Sequence, residues 1–262
     1  MPVHSTAVIH QGAALGRDAS VGEYSIVGPE VRLGDRVILR SHVVIEGRTT
    51  VGDETEIFPF SVLGVRPGHH HDRGEGTELV IGARCVIREL ASLHRGTNSG
   101  SGKTVIGDEC MLLGQIHIAH DCRFGRGVTM MNGCLLAGHV EIGDFATLGG
   151  NAEIHQFVRI GAYAMLGGGS TVRMDVPPYC MAAGYGPGLH GLNEIGLERR
   201  GLKSETVSAL RSAYRILFRG GLPRAEALAR VRSDFGGVPD VVRLADFVAA
   251  SKRGIARHGR GG

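Results

Sequence analysis

Residues 118–160 read IAHDCRFGRGVTMMNGCLLAGHVEIGDFATLGGNAEIHQFVRI, and an apolar residue recurs every six positions: Ile118, Phe124, Met130, Leu136, Ile142, Leu148, Ile154 and Ile160. The same phase extends outward from Ile106 to Val172, and it reappears from Val3 to Leu63 and from Ile81 to Leu93. None of the 26 positions so marked is polar. A helix repeats every ~3.6 residues and a strand every ~2, so a period of six belongs to neither alone. It is the period of a solenoid in which each hexapeptide makes one short strand and one turn. Four residues after each marker the side chain is nearly always small or β-branched, as at Ala7, Ala13, Cys122, Val128, Cys134 and Ala146, so it fits beside the marker in the interior. Glycine often follows the marker directly, as at Gly22, Gly52, Gly82 and Gly125, where it is expected to permit the turn. Three hexapeptides make one triangular coil. About nine coils at the ~4.8 Å strand spacing give a prism on the order of 40 Å tall.

The composition agrees. Glycine accounts for 42 of 262 residues against only 9 prolines, which fits a repeated backbone geometry and neither collagen nor a Pro/Gly-rich disordered tract. Five cysteines without a CxxC pair argue against a disulfide framework or zinc ribbon, and Cys85, Cys110, Cys122 and Cys134 take the small inward position as reduced packing residues. No stretch is apolar for long enough to span a membrane. The opening MPVHSTAVIHQGAAL has no basic region followed by an apolar run, so no secretory signal is visible and a cytoplasmic chain is expected. The net charge of +3 divides into −4 for residues 1–189 and +7 for residues 190–262. That basic end suits an acidic protein partner; neither nucleic acid nor integral membrane contact is expected.

The repeat is interrupted at residues 64–80 (GVRPGHHHDRGEGTELV) and 98–104 (NSGSGKT), and insertions in a solenoid leave it as loops on one face. After Val172 the pattern ends at Asp175-Val176-Pro177-Pro178. Helices are expected from Ser204 to Gly220-Gly221, from Pro223 to Gly236-Gly237, and from Pro239 toward Arg253. The expected organisation is a solenoid over 1–189 capped by a helical domain over 190–262.

Residues 18 apart lie one above the other in such a coil. His120 is therefore below Gly138 and Gln156, Asp121 is below His139, and His155 lies two coils above Ala119. A lone histidine on an exposed corner would mean nothing. Six polar or glycine positions converging within three coils form a site: an imidazole suited to general-base work, a carboxylate to fix its tautomer, and a glycine N–H open to a developing oxyanion. That set suits acyl transfer to a hydroxyl. Two other readings are a metal-dependent lyase, with His117 and His120 as ligands in the manner of gamma-class carbonic anhydrases, and a non-catalytic scaffold. The side chains of His117 and His120 need not converge, and a basic helical tail has no role in such a lyase.

The segments IAHDC, LAGHV, IHQF, DVPPY and GLNEIGLERRG, with LHRGT at residues 93–97, resemble the UDP-N-acetylglucosamine acyltransferase family over essentially the whole chain. The resemblance implies a left-handed parallel β-helix of hexapeptide repeats, an all-β solenoid with a C-terminal helical domain. It implies a homotrimer with active sites between subunits, no metal or other cofactor, and transfer of a 3-hydroxyacyl chain from acyl carrier protein to the 3-hydroxyl of the UDP-sugar in the first step of lipid A biosynthesis. By matching motif, His120 is the general base, Asp121 its partner and Gly138 the oxyanion donor. His117, His139, His155 and Gln156 line the cleft, and His94 lies near the nucleotide. Asn193, Arg199 and Arg200 reach the donor or the nucleotide phosphates, the plain alternative for the two arginines being a solvated helix face. Gly168 of LGGGS limits the acyl pocket. The relative that acylates an amino group carries an extra N-terminal domain, whereas here the repeat begins at Val3. Two positions depart from the family. Its first insertion commonly holds an aspartate and a lysine two residues later, but here the stretch is His69-His70-His71-Asp72, so that His69 or His71 would meet a sugar hydroxyl or a phosphate; and a common glutamate is Ile195.

Overall fold

The computed structural model describes residues 3–68 and 76–256. Strands that are mostly two residues long stack into three sheets of nine, eight and ten strands. The first sheet begins at Val8–Ile9, the second at Ala14–Leu15 and the third at Ser20–Val21, so the chain visits them in rotation. Within the uninterrupted coils the register is 18 residues: Ile118 pairs with Leu136, Leu136 with Ile154, and Ile154 with Val172. From Val21 onward every hexad marker among the described residues is buried, and together they form one continuous core.

The glycines after the markers do a different job from the one expected. The left-handed residue of each corner comes two positions later and is usually not glycine, as at Tyr24 (φ 56°) and Arg84 (φ 54°). What Gly22 and Gly52 supply is clearance. A Cβ at Gly22 would lie 2.8 Å from the carbonyl carbon of Arg40, and one at Gly52 would lie 2.6 Å from the backbone nitrogen of Ala83. No side chain fits at that distance from the next coil.

The three outer faces differ. The second sheet presents Arg32, Glu78, Lys103, Arg123, Glu141 and Arg159 outward, paired along the prism by Lys103–Glu78 (2.8 Å) and Arg159–Glu141 (3.5 Å). The first sheet presents Val8, Ile26, Val44, Val62 and Leu135, interspersed toward its upper end with Ser92, His117, Glu153 and Thr171. The third mixes Ile38, Val86, Met111 and Met165 with Ser20, Glu56, Thr129 and Thr147. Where third meets first, Tyr24, Phe60 and Leu90 stand 60%, 56% and 49% exposed. Two faces of mixed, largely uncharged character therefore share an apolar corner, opposite a charged face.

Around the insertions, strands extend beyond the expected limits: Val62–Val65 and Glu78–Ile81 flank the first, and Ser92–His94 and Lys103–Ile106 flank the second. The second insertion lengthens the local register to 25 residues, so Cys85 lies directly beneath Cys110. All five cysteines are buried and reduced, and burial pushes the Cys122 thiol up to about 12.

Beyond the coils, the sheet pair Cys180–Ala183 and Gly188–Leu192 and the short helix α1 (Glu194–Arg199) precede the three expected helices, α2 (Ser204–Phe218), α3 (Arg224–Phe235) and α4 (Pro239–Ala250). The hairpin and α1 are too short to carry a readable period. Tyr179, fully buried, clasps the cap to the last coil: its hydroxyl donates to Asp240 Oδ1 (2.7 Å) and accepts from Arg243 Nη1 (3.1 Å). No helix among the described residues is long and apolar enough to cross a membrane.

Candidate active site

The corner between the first and second sheets, residues 119–122, brings together the central candidate residues. Asp121 holds a left-handed conformation (φ 61°), and its carboxylate lies 2.9 Å from Nδ1 of His120 through Oδ2. The Asp121 side chain is fully buried while the His120 ring stays 16% exposed. Burial alone would raise the Asp121 carboxyl. Hydrogen bonds from Thr97, His120 and Ser101 outweigh it and hold the group below its usual range. An ionised carboxylate can only accept, so in the neutral imidazole of His120 the proton sits on Nδ1, and Nε2 is the basic nitrogen.

Gly138 stands one coil above. A Cβ there would lie 2.5 Å from Cε1 of the His120 ring, so the ring occupies the space that a side chain would need. The Gly138 N–H donates to no acceptor among the described residues, whereas its carbonyl accepts from Phe157. His139 meets the His120 ring edge to face (5.1 Å between centroids) and stacks on Phe157 (4.5 Å), with Nε2 3.9 Å from Asp121 Oδ2. An acceptor-bearing base, its orienting carboxylate and an open N–H donor thus share one corner.

His94 and His117 sit beside this corner on the first sheet, their rings edge to face at 4.7 Å, and His117 Nδ1 lies 3.3 Å from Ser92 Oγ. Burial, then the neighbouring His117 and His120, lowers His94 to about 4, and burial lowers His117 as well. Both are neutral hydrogen-bonding groups at neutral pH. His117 therefore faces His94, and the convergence considered for a metal, His117 with His120, does not form. A different trio does gather: the ligand atoms of His120, Asp121 and His139 lie within 4.8 Å of one another. The donor set does not suit a cation, because both Asp121 oxygens already accept from Thr97, Ser101 and His120.

Residues 175–256 match the model of the UDP-N-acetylglucosamine O-acyltransferase family's second domain. A Burkholderia orbicola protein named acyl-[acyl-carrier-protein]--UDP-N-acetylglucosamine O-acyltransferase is 45% identical over 211 residues, 79% of this chain and 80% of its own. The chain belongs to the UDP-N-acetylglucosamine O-acyltransferase family. Two solved members superpose on nearly all of it: the Moraxella catarrhalis enzyme (40% identity, TM-score 0.96, covering 98% of this chain and 100% of that one) and the Campylobacter jejuni enzyme (34%, 0.94, 98% and 100%). The left-handed parallel β-helix with its helical cap is the fold of this acyltransferase family.

Not every residue singled out in this acyltransferase gathers at the corner. His155 lies two coils above Ala119 beside a groove on the first sheet, with Arg253 Nη2 3.2 Å from its Nδ1, and Gln156 is exposed on the same corner. Asn193, Arg199 and Arg200 belong to the opposite side of the prism. Asn193 caps α1 by accepting from Gly196 N (3.3 Å) and donates to the Tyr163 carbonyl (3.1 Å). The Arg200 guanidinium lies 4.4 Å over the Phe145 ring, on the corner between the second and third sheets. Arg199 ends α1 and is exposed. Gly168 sits on the third corner, where a Cβ would meet only Gly150, at 3.3 Å. His69 and His71 lie outside the described residues. Sequence reasoning missed Thr97 and Ser101, the residues that hold Asp121.

Proposed function

We propose that the chain transfers a 3-hydroxyacyl group from acyl carrier protein to the 3-hydroxyl of UDP-N-acetylglucosamine, the first step of lipid A biosynthesis. The observation that carries the reading is the oriented pair His120–Asp121 beside the open Gly138 N–H. His120 Nε2 takes the proton of the sugar hydroxyl as its oxygen attacks the thioester carbonyl. The Gly138 N–H stabilises the oxyanion. Collapse breaks the carbon–sulfur bond, and the imidazolium returns its proton to the carrier's thiolate. The basic cap, +7 over residues 190–262, supports docking of an acidic carrier protein, and Arg199 and Arg200 suit its acidic groups or the nucleotide phosphates.

The faces support a homotrimer. Packing the first sheet of one copy against the third sheet of the next, with the corner of Tyr24 and Phe60 at the axis, covers their exposed apolar side chains and leaves the charged second sheet in water. That arrangement sets the His120 corner of one copy against the Phe145 and Arg200 corner of its neighbour, completing the site from residues that one chain holds apart.

The test is an assay of acyl carrier protein thioesters of several lengths against UDP-sugars with a 3-hydroxyl or a 3-amino group. Ester formation on the hydroxyl sugar is expected, with His120→Ala lowering turnover by about 10²- to 10⁴-fold. An active His120→Ala protein removes the mechanism, and preference for the amino sugar removes the assigned acceptor.

A further inference from the structure

The second insertion folds back over the catalytic corner. Five protein donors reach the two Asp121 oxygens, and four of them come from this loop and its lip: Thr97 N (3.1 Å) and Thr97 Oγ1 (2.7 Å) on Oδ2, Ser101 N (2.7 Å) and Ser101 Oγ (3.0 Å) on Oδ1. The fifth is His120. The Asp121 backbone N–H is tied down as well, donating to Thr104 Oγ1 at 2.9 Å. The loop is braced by its own backbone, since Gly100 and Gly102 both donate to the Thr97 carbonyl. Gly100 passes so close to the carboxylate that a Cβ there would lie 2.5 Å from Asp121 Cγ.

We infer that the 97–101 loop is a positioning device for the reaction: Thr97 and Ser101 fix the Asp121 carboxylate so that it holds the Nδ1–H tautomer of His120, and Gly100 gives the carboxylate the room to sit there. This rests on His120 being the general base. A carboxylate with a single partner can rotate about its own bonds and offer either oxygen. Here Oδ1 is occupied by Ser101 and Oδ2 by Thr97, so the torsion is fixed, and Oδ2 keeps the direction that meets Nδ1. If it swings away, the imidazole is free to carry its proton on Nε2, where it cannot accept one from a hydroxyl. Neither Thr97 nor Ser101 is a catalytic residue; each acts through Asp121.

The experiment uses the full-length protein with ¹⁵N-labelled histidine, the His120 ring signals being assigned by their loss in His120→Ala. In wild type the proton is expected on Nδ1. In the double variant Thr97→Val and Ser101→Ala it is expected to redistribute to Nε2, with kcat falling about 10- to 100-fold, the usual cost of losing an orienting partner, and KM for the UDP-sugar little changed. Ser101→Thr, which keeps the hydroxyl, should retain the wild-type tautomer and kcat. Gly100→Ala, which crowds the carboxylate while leaving both hydroxyls, should reproduce the double variant. A fall in kcat with the proton still on Nδ1 overturns the inference, since it marks a merely structural loop; so does an unchanged kcat. The base assignment is judged separately, by whether His120→Ala stays active, while the ring signals still report whether the loop sets the tautomer.

Discussion

Gly138 is the ceiling against which the His120 ring rests: the two are one coil apart, and a Cβ on the glycine would penetrate the imidazole at 2.5 Å from Cε1. The backbone need here is space for a neighbour's ring, because Gly138 has an ordinary φ. Gly138→Ala is therefore expected to leave the fold intact and displace the ring, with a kcat loss of at least about 10²-fold, comparable to losing one oxyanion donor. Turnover near the wild-type level, measured with saturating sugar nucleotide, would show that the ring is not confined by this contact.

His94 makes stability depend on pH. In the unfolded chain its imidazole titrates near ~6.5, whereas burial and the neighbouring His117 and His120 lower it to about 4 in the fold. Between those values the unfolded state binds a proton that the folded state refuses, so stability falls as pH drops through that window and this contribution levels off below it. His94→Gln, which cannot charge, should show a shallower decline in Tm from pH 6.5 to pH 4. Parallel declines in the two proteins would mean that His94 does not resist protonation.

Most of the fold was legible because one period governs it. Once Ile118, Leu136 and Ile154 are stacked, adding 18 places Gly138 over His120 and His139 over Asp121, and both pairs are in contact. The same arithmetic fails across the insertions. Leu93 pairs with Ile118 at a spacing of 25, which hides the His94–His117 contact, the Cys85–Cys110 stack and the hold of Thr97 and Ser101 on Asp121. Applying that longer spacing sets Ser92 beneath His117 and His94 beneath Ala119, next to the His117 ring. Asn193 and Arg200 were beyond any period, since the hairpin that carries them onto the Phe145 corner follows the last coil.

Gly168 should measure the acyl chain. It is exposed on the corner where the third sheet meets the first, and a groove lined by Leu135, Ala137 and Ile154 crosses the first sheet beside His117. A chain that starts at His120 and follows this groove approaches Gly168. A Cβ at this position meets only Gly150, at 3.3 Å, so a longer side chain is tolerated by its own subunit and projects outward. Gly168→Met is expected to shift the preference to shorter thioesters. An unaltered length profile in a panel of carrier thioesters would place the chain elsewhere.

The proposed division of the site between copies would have a signature that no single substitution gives. His120 occupies one corner, and Arg200, over Phe145, occupies another, so a chain that lacks either should be inactive alone while its neighbour can still supply the missing part. In the proposed site, His120→Ala removes the base and Arg200→Glu reverses the charge that would meet the donor or nucleotide phosphates. Co-expressed in equal amounts, the two variants assemble at random, and one arrangement of each adjacent pair joins an intact His120 corner to an intact Arg200 corner. About one quarter of the sites in a closed cyclic trimer are then whole. Mixed trimers, isolated by two affinity tags, each hold one whole site in three and should recover about one third of wild-type activity, whereas the same variants mixed after separate purification should not until subunits exchange. If co-expression restores nothing while each variant remains a folded trimer near three times 27.7 kDa, His120 and Arg200 do not serve one shared site.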